Sequence, residues 1–312
     1  MGAPALVNGM MRSAILAAAD SARVQRLVRA HGMRLGASRF VAGETLDDCV
    51  RALRQLNDAG LHANTTLLGE GIRDESQVTP VVDAYEEVMS RLVSEGLRAN
   101  VALKLTHLGL ELGEDLAYEN ARRLVAHAEQ LGTFVRIDME QSTFVDATLR
   151  IYRRLRESGL EQVGVVLQAY LRRSEPDLQE LLALRPNLRI VKGAYLEPPE
   201  VAYSRKPDVD AAFARLVESS LAGPGYTAIA THDERLIEHS IAAATRLGVD
   251  RGRFEFQMLY GVRPALQREL ARRGFKVLVA TPYGPEWYPY LMRRLGERPA
   301  NLAFFLRNLV RR

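Results

Sequence analysis

Short apolar runs rich in β-branched residues alternate along the chain with longer segments whose apolar positions recur every three or four residues. The short runs are typical of buried strands, and the longer segments are typical of amphipathic helices. We expect eight strands, at His62–Leu68, Val101–Leu105, Thr133–Asp138, Val163–Gln168, Leu188–Lys192, Tyr226–Ala230, Phe254–Gln257 and Lys276–Ala280. The strand–helix repeat predicts parallel strands with helices outside, and eight such units favour a closed (β/α)8 barrel of the TIM type over an open sheet.

Capping and turn residues mark the ends of several predicted helices. Thr45 followed by Asp48, and Ser174 followed by Asp177, have the spacing of capping boxes, in which two side chains satisfy free amides at a helix start. Gly132 follows an apolar stripe and predicts the end of a helix before the third strand.

The length of 312 residues suits one barrel with an extension. We expect N-terminal helices over residues 1–60, packed on a catalytic barrel over residues 61–312. The net charge of +4 is compatible with an anionic ligand or with contact to an anionic membrane surface. It does not indicate nucleic acid binding, which usually needs a clustered basic face.

The single cysteine, Cys49, excludes a framework of internal disulfides and fits a reducing compartment. Its neighbours Asp47 and Asp48 would raise the pKa of the thiol, so we expect an inert side chain. No segment approaches about 18 uninterrupted apolar residues, and no basic stretch precedes the apolar run near the N-terminus. Neither a transmembrane helix nor a secretory signal is therefore expected.

Polar residues are concentrated where the predicted strands end, which is where (β/α)8 barrels build their active sites. A polar group in an apolar strand is costly to bury without a partner, so these side chains converge either on one another or on a ligand. An ion-pair network across the barrel mouth, satisfied without any ligand, is the structural alternative. The residues concerned are Glu70, Lys104, His107, Arg136, Asp138, Glu140, Gln168, Arg189, Lys192, His232, Asp233, Glu255 and Gln257.

A second concentration of chemistry follows Pro285. If this segment is helical, Tyr290, Arg293 and Arg294 lie within one turn of one another. An aromatic ring beside two guanidinium groups suits a small ligand with a flat apolar part and a carboxylate, because arginine grips carboxylates in bidentate fashion. The alternative is a solvated basic helix end.

The histidines lack zinc-ligand spacing, and no Rossmann, Walker A or G-x-S-x-G motif is present. His107 and His232 could serve either as catalytic bases or as hydrogen-bonding residues of the barrel mouth. From the residues alone, Lys104 or Lys192 could also be the Schiff-base nucleophile of a barrel lyase. A basic module that binds an anionic polymer or lipid is a further alternative.

Several segments resemble those of the bacterial monofunctional proline dehydrogenases, and the likeness runs from Arg39–Thr45 to the C-terminus. Each segment is weak by itself, but their order, each at the end of the expected strand or helix, is specific. The segments are Leu103–Thr106, Val135–Glu140, Ile190–Tyr195, Ala230–Asp233 and Tyr290-x-x-Arg293-Arg294.

The resemblance implies a flavoprotein that oxidises L-proline to Δ1-pyrroline-5-carboxylate, with FAD held without a Rossmann fold. It implies that C5 of proline gives a hydride to flavin N5, with Asp138 at the reacting centre and Arg189 near N5. The implied substrate-binding residues are Lys104, Tyr290, Arg293, Arg294, Leu259, Ala280 and Glu70, with Glu70 and Arg293 forming an ion-pair gate. The implied cofactor-binding residues are Met139, Gln168, Arg189, Lys192, Gly193, Ala194, Thr231 and His232.

The resemblance also implies partners. Electrons would pass to a membrane quinone, and a pyrroline-5-carboxylate dehydrogenase would consume the product. The expected location is the cytoplasm, with peripheral contact at the inner face of the membrane; no nucleic acid partner and no metal are expected.

One residue departs from the family pattern, which leads us to expect a tyrosine where this chain has Ala280. Alanine would leave a larger pocket beside the substrate. We therefore expect hydroxyproline to be accepted better than in relatives that keep the tyrosine, unless Tyr283 or Tyr288 refills the space.

Overall fold

The computed structural model describes residues 36–297 together with residues 25, 26, 28, 29, 32 and 33. The strands are β1 His62–Leu67, β2 Ala99–Leu103, β3 Val135–Ile137, β4 Val163–Gln168, β5 Asn187–Val191, β6 Tyr226–Ala230, β7 Phe254–Leu259 and β8 Val277–Tyr283. The helices are α1 Leu46–Asp58, α2 Val78–Ser94, α3 Glu114–Leu131, α4 Val145–Glu157, α5 Ser174–Leu182, α6 Lys206–Ala222, α7 Glu234–Arg246, α8 Pro264–Arg272 and α9 Trp287–Glu297.

The strands follow one another in sequence order around a closed parallel barrel, with β8 paired to β1. The predicted (β/α)8 fold is confirmed, and each of the eight predicted strands is present. Strand β3 is shorter than expected at both ends, β2 begins and ends two residues earlier than expected, and β7 and β8 extend to Leu259 and Tyr283. Strands β2, β7 and β8 are bordered by further apolar residues, so the apolar pattern alone does not mark their ends.

Side chains from the strands and the inner faces of the helices form one large apolar core. Cys49 lies in this core, fully buried, and its sulfur is 3.1 Å from the hydroxyl oxygen of Thr65. Burial, more than the neighbouring Asp48, raises the pKa of the Cys49 thiol to about 12. The expectation of an inert thiol is therefore confirmed, although burial is the main cause.

Two of the predicted helix ends are confirmed and one is wrong. Thr45 and Asp48 form the expected capping box at the start of α1, and Gly132 ends α3 in the left-handed region with φ 65°. Ser174 is already inside α5 and donates its hydroxyl to the carbonyl oxygen of Gln168 at 2.6 Å. Asp177 instead accepts hydrogen bonds from Arg173, so no capping box forms there.

The segment before α1 packs against α9 and fixes its place at the barrel mouth. Trp287, 1% exposed, donates its indole N–H to Glu44 at 2.6 Å. The amide of Ala42 donates to the carbonyl oxygen of Pro282, which ties the same segment to β8. A small apolar cluster around Trp287, which includes Phe40 and Leu291, completes this contact.

A buried polar network lies toward the amino end of the barrel. Glu255, only 3% exposed, accepts from Tyr226, Gln257 and Lys276 at 2.5–2.9 Å. Tyr226 is the first residue of β6 and Lys276 precedes β8, so this group lies at the end opposite the mouth. The expectation that Glu255 and Gln257 mark the carboxyl end of a strand is therefore wrong, because β7 continues past them to Leu259.

Arg136 also belongs to this internal structure rather than to the mouth. Its guanidinium donates to the backbone oxygen and the side-chain oxygen of Asn187, the first residue of β5, at 2.6 and 2.5 Å. Burial, and then the positive charge of Arg189, lower the pKa of Arg136 to about 9.

The proposed division at residue 60 stays a prediction. α1 lies within the expected N-terminal region, while residues 1–24, 27, 30, 31, 34 and 35 lie outside the described residues, as do residues 298–312 of the expected barrel region. None of the helices in the described part of the chain combines the length and apolar character that crossing a bilayer requires.

We expect Thr45→Ala to destabilise the fold by about 1 kcal/mol, because it removes the side-chain acceptor at the start of α1. The melting temperature should fall by about 2 °C. Thr245→Ala is the control, because the Thr245 hydroxyl only donates to a carbonyl oxygen one turn earlier on an exposed part of α7. Equal melting temperatures for the two variants would contradict the capping role.

Candidate active site

Three charged side chains from distant parts of the chain meet at the mouth of the barrel. Glu70, just after β1, accepts hydrogen bonds from Arg293 on α9 at 2.7 and 3.4 Å. The same carboxylate pairs with the ammonium group of Lys104, the residue that follows β2. The expected contact of Glu70 with Arg293 is thus present, and Lys104 completes a cluster of two cations around one carboxylate.

The two cations determine the charge of Glu70. Burial opposes ionisation of its carboxyl group, but the nearby charges of Lys104 and Arg293 outweigh burial and lower the pKa of Glu70 to about 2. Glu70 therefore stays ionised throughout the physiological pH range, and the cluster carries one net positive charge.

A second charged group lies across the barrel interior. Arg189, on β5 and 8% exposed, donates to Asp138 after β3 at 2.7 Å. Its other terminal nitrogen donates to the side-chain oxygen of Asn64 on β1 at 2.9 Å. The Nε–H of Arg189 is buried and has no acceptor among the described residues. Asp138 and Arg189, predicted separately, are thus brought together, and Nε is the one nitrogen of Arg189 without a partner among the described residues.

Ala280 lies at the same level of the barrel as this pair. It is the register partner of Asn64 across the β8–β1 pairing, and registered residues of parallel strands point to the same face of a sheet. The amide of Asn64 points into the barrel, where it contacts Arg189, so the methyl group of Ala280 points there too. Ala280 is half-buried, and a larger side chain would extend toward the mouth.

Helix α9 carries the predicted aromatic and basic residues. The guanidinium of Arg294 lies over the ring of Tyr290, 5.3 Å from its centroid, while Arg293 contacts Glu70. The helix begins at Trp287, as the sequence predicted for a helix after Pro285. The two arginines therefore share one turn but have different partners.

Glu140, a buried residue of the loop after β3, connects this loop with the loop after β2 and with the end of β4. Glu140 accepts from the amide and the hydroxyl of Thr106 at 3.1 and 2.6 Å. Its backbone oxygen accepts from the side chain of Gln168 at 2.8 Å. Burial raises the pKa of Glu140. Gln168, predicted to contact a cofactor, is therefore held in place by the β3 loop.

Lys192, after β5, belongs to a different group of charges. Its ammonium pairs with Asp210 at 2.5 Å and with Asp233 at 3.5 Å, on the neighbouring α6 and the β6 loop. The hydroxyl of Thr231 accepts from the amide of Asp233 at 3.1 Å. The ends of β5 and β6 are thus tied together by charge.

His232 connects the β6 loop with the end of β7. Its Nε2 accepts from the amide of Leu259 at 2.9 Å, so this nitrogen is unprotonated when the ring is neutral. Its backbone oxygen accepts from Arg263 at 2.8 Å. These contacts favour the hydrogen-bonding reading of His232 over that of a catalytic base, and they fix the position of Leu259.

The remaining predicted residues lie on the same loops. Met139 is 6% exposed after β3, and Gly193 and Ala194 follow Lys192. Gly193 has φ 113°, and a Cβ atom there would lie 2.1 Å from the ring of Tyr170, so only glycine fits against this ring.

Two further residues of the mouth escaped the sequence prediction as site residues. Asn64 was passed over because one amide inside an apolar strand gives no motif. Tyr195 ends the segment Ile190–Tyr195, but the resemblance implies no role for this residue. Burial raises the pKa of the Tyr195 phenol, and the charges of Glu140 and Glu70 raise it further, which places this phenol among the carboxylates of the mouth.

His107 is 6% exposed and stacks edge-on against Tyr85, with ring centroids 6.0 Å apart. Burial, and then the positive charge of Lys104, lower the pKa of His107 to about 4. The ring is therefore neutral at physiological pH. A Cβ atom at Gly69 would lie 2.2 Å from its Nε2, so His107 supports the backbone that carries Glu70.

The chain is similar to known proteins over most of its length. The family model described as proline dehydrogenase matches residues 49–307. Proline dehydrogenase of Deinococcus radiodurans is 42% identical over 310 residues, covering 98% of this chain and 100% of the relative. Proline dehydrogenase 1 of Bacillus subtilis (strain 168) is 39% identical over 303 residues, covering 97% of this chain and 100% of that relative.

The fold has a counterpart in a solved structure. The crystal structure of proline utilization A from Bdellovibrio bacteriovorus, inactivated by N-propargylglycine, matches with a TM-score of 0.78 and 24% identity. The match covers 83% of this chain and 32% of that chain. The family match over most of the sequence and the two nearly full-length relatives show that this chain belongs to the proline dehydrogenase family, oxidoreductases that carry out the first step of proline catabolism, the oxidation of proline to pyrroline-5-carboxylate.

Proposed function

We propose that the barrel mouth holds FAD and oxidises L-proline by hydride transfer from C5 of the substrate. The observation that carries this proposal is the pairing of Arg189 with Asp138 beside the cluster of Glu70, Lys104 and Arg293. Arg189 offers a buried N–H donor to a ligand, and Lys104 and Arg293 offer positive charges to the carboxylate of a substrate.

The residues at the strand ends fit a flavin dinucleotide. The unpartnered Nε–H of Arg189 suits an acceptor atom of the flavin ring, and the ammonium of Lys192 suits the phosphates. Polar groups that approach from β4 and β6 supply further donors and acceptors. The proposed cofactor contacts are Met139, Gln168, Arg189, Lys192, Gly193, Ala194, Thr231 and His232.

Lys104, Arg293 and Arg294 would bind the carboxylate of proline. In the described arrangement Glu70 already occupies Lys104 and Arg293, so the substrate carboxylate would share or replace that contact. Glu70 and Arg293 would then act as the gate over the substrate. Tyr290, Leu259 and Ala280 would line the space for the ring, which gives the proximity and orientation that the reaction needs.

FAD held by these residues would supply the acceptor, at flavin N5, for the hydride from C5 of proline, and a quinone would reoxidise it. Transfer requires the neutral secondary amine, and the cations Lys104 and Arg293 disfavour the ammonium form of the bound amino acid. Arg189 would place a positive charge near the atom that receives the hydride, and Asp138 would hold that guanidinium in place.

A Schiff-base lysine is poorly supported by these contacts. Lys104 pairs with Glu70, and Lys192 pairs with Asp210, so each ammonium is held in an ion pair with a carboxylate. A nucleophilic lysine needs the opposite environment.

We further propose that a membrane quinone accepts the electrons and that a separate pyrroline-5-carboxylate dehydrogenase consumes the product. The second partner is supported by the similarity to the bifunctional protein PutA of Escherichia coli (strain K12), which is 26% identical over 320 residues. This chain covers 24% of that protein. The proposed location is the cytoplasm, at the inner face of the membrane.

An absorbance spectrum of the purified protein, recorded before and after anaerobic addition of L-proline, tests the proposal. We expect a yellow protein whose flavin band bleaches, because hydride transfer reduces the cofactor. A colourless protein that takes up no added FAD would overturn the cofactor assignment. If hydroxyproline bleached the flavin band and L-proline did not, the assignment of FAD would stand and the proposed substrate would be wrong.

Arg293→Ala should raise the KM for L-proline about 10- to 100-fold, because the substrate carboxylate loses a charged hydrogen-bond partner. We expect kcat to change much less, since Arg293 is not among the residues proposed to contact the flavin. Steady-state kinetics measure both values. Arg122→Ala, which removes an exposed arginine paired with Glu119, serves as the control. An unchanged KM in the Arg293 variant would exclude the proposed carboxylate contact.

Ala280→Tyr should reduce the space beside the proline ring and disfavour a substrate with an added hydroxyl group. We expect the ratio of kcat/KM for L-proline to kcat/KM for 4-hydroxyproline to rise about tenfold over wild type. Thermal unfolding of both proteins controls for damage to β8. A ratio that does not change would mean that Ala280 has no part in substrate selection.

A further inference from the structure

Asn64 is a buried polar residue that the proposed mechanism does not yet use. It is 1% exposed in the middle of β1. Its side-chain oxygen accepts from Arg189 at 2.9 Å, and its side-chain nitrogen donates to the side-chain oxygen of Asn100 on β2 at 2.5 Å. Asn64 and Asn100 are register partners, so the two amides lie side by side on adjacent strands.

The chemistry of the three groups gives this chain of hydrogen bonds one direction. A guanidinium can only donate, so Asn64 must turn its oxygen toward Arg189. The NH2 group of Asn64 is then left needing an acceptor, and Asn100 supplies one. Together the two asparagines fix one edge of the Arg189 guanidinium, while Asp138 fixes the other.

The side chain of Asn64 carries no charge, and this affects Arg189 as much as the position of Asn64 does. Arg136 lies close enough for the charge of Arg189 to act on it, so two buried guanidinium groups repel each other in the barrel. An aspartate at position 64 could accept the same hydrogen bond and would also relieve this repulsion. A neutral amide orients Arg189 but leaves Asp138 as the only carboxylate paired with it in the described part of the chain.

We propose that Asn64 is a positioning residue that holds Arg189 in place without neutralising its charge, and that Asn100 fixes the orientation of Asn64. The inference rests on the proposed function, because the charge so preserved acts on the flavin. A positive charge near the ring favours the electron-rich state of the cofactor. Asn64 would therefore tune how readily the flavin accepts electrons from proline.

The test uses the full-length protein loaded with FAD, and compares wild type with Asn64→Asp, Asn64→Ala and Asn100→Ala. Spectroelectrochemistry gives the midpoint potential of the bound flavin, and steady-state kinetics give kcat and KM for L-proline. Thermal unfolding of the FAD-free proteins measures the structural cost. Thr227→Val is the matched control, because it removes a buried hydrogen bond to Ser220 between β6 and α6, on the outer side of the barrel.

Asn64→Asp should move the midpoint potential to a more negative value, because a second carboxylate partly cancels the charge of Arg189. We expect kcat to fall about tenfold in Asn64→Ala, with a smaller loss in Asn100→Ala, and KM to stay near the wild-type value, because Arg189 is not among the proposed carboxylate ligands. Thr227→Val should lower the melting temperature and leave the potential unchanged.

A wild-type potential in Asn64→Asp would overturn the proposal, and so would kcat losses in Asn64→Ala that only follow a lower melting temperature, as a purely structural residue would give. Failure of the proposed function looks different. In that case the wild-type protein itself binds no FAD or is not bleached by proline, and both proposals fall together.

Discussion

Closure of the barrel between β8 and β1 is the constraint on which the candidate site depends. Six registered pairs join these strands, from His62 with Leu278 to Leu67 with Tyr283. This seam places β1 beside β8, the strand that precedes α9. Glu70 after β1 therefore contacts Arg293 on α9, although 223 positions separate the two residues. The same seam sets Asn64 beside Ala280. An open sheet with the same strands would leave β1 and β8 at opposite edges, and Arg293 would not face Glu70.

The charged groups at the mouth are arranged so that the carboxylate of a substrate can join their ion pairs at a modest cost in free energy. Burying an unpaired charge costs free energy, so a charged side chain in a half-buried site is stable only while it keeps a partner of opposite charge. Glu70 supplies that partner for Lys104 and Arg293, and the pKa of its carboxyl group stays low because both cations are near. A carboxylate ligand offers the same type of contact as Glu70, so exchange between the two leaves no cation unpaired. The ion pair is therefore suited to a gate.

The alternation of apolar runs predicted eight strands and favoured a closed barrel, and Lys104 and Asp138, expected at strand ends, directly follow β2 and β3, whereas Arg189 lies within β5. The prediction failed where the strand length was misjudged. Glu255 was assigned to the mouth because the apolar pattern gives no clear end for β7, and its true partners include Lys276 at the amino end. Asn64 was missed for a different reason. Its function depends on a residue 125 positions away, and no local pattern carries such information.

The two ends of the barrel differ in how far their charges are compensated. At the amino end, Glu255 is enclosed by donors, and burial is offset by Lys276 and Gln257, which keep its pKa below the usual range. This network serves stability. Toward the mouth, Arg189 keeps an Nε–H that has no acceptor among the described residues, and the second partner of its guanidinium is a neutral amide. Such incomplete compensation costs stability, and a ligand that accepts a hydrogen bond and gains negative charge during the reaction would recover it.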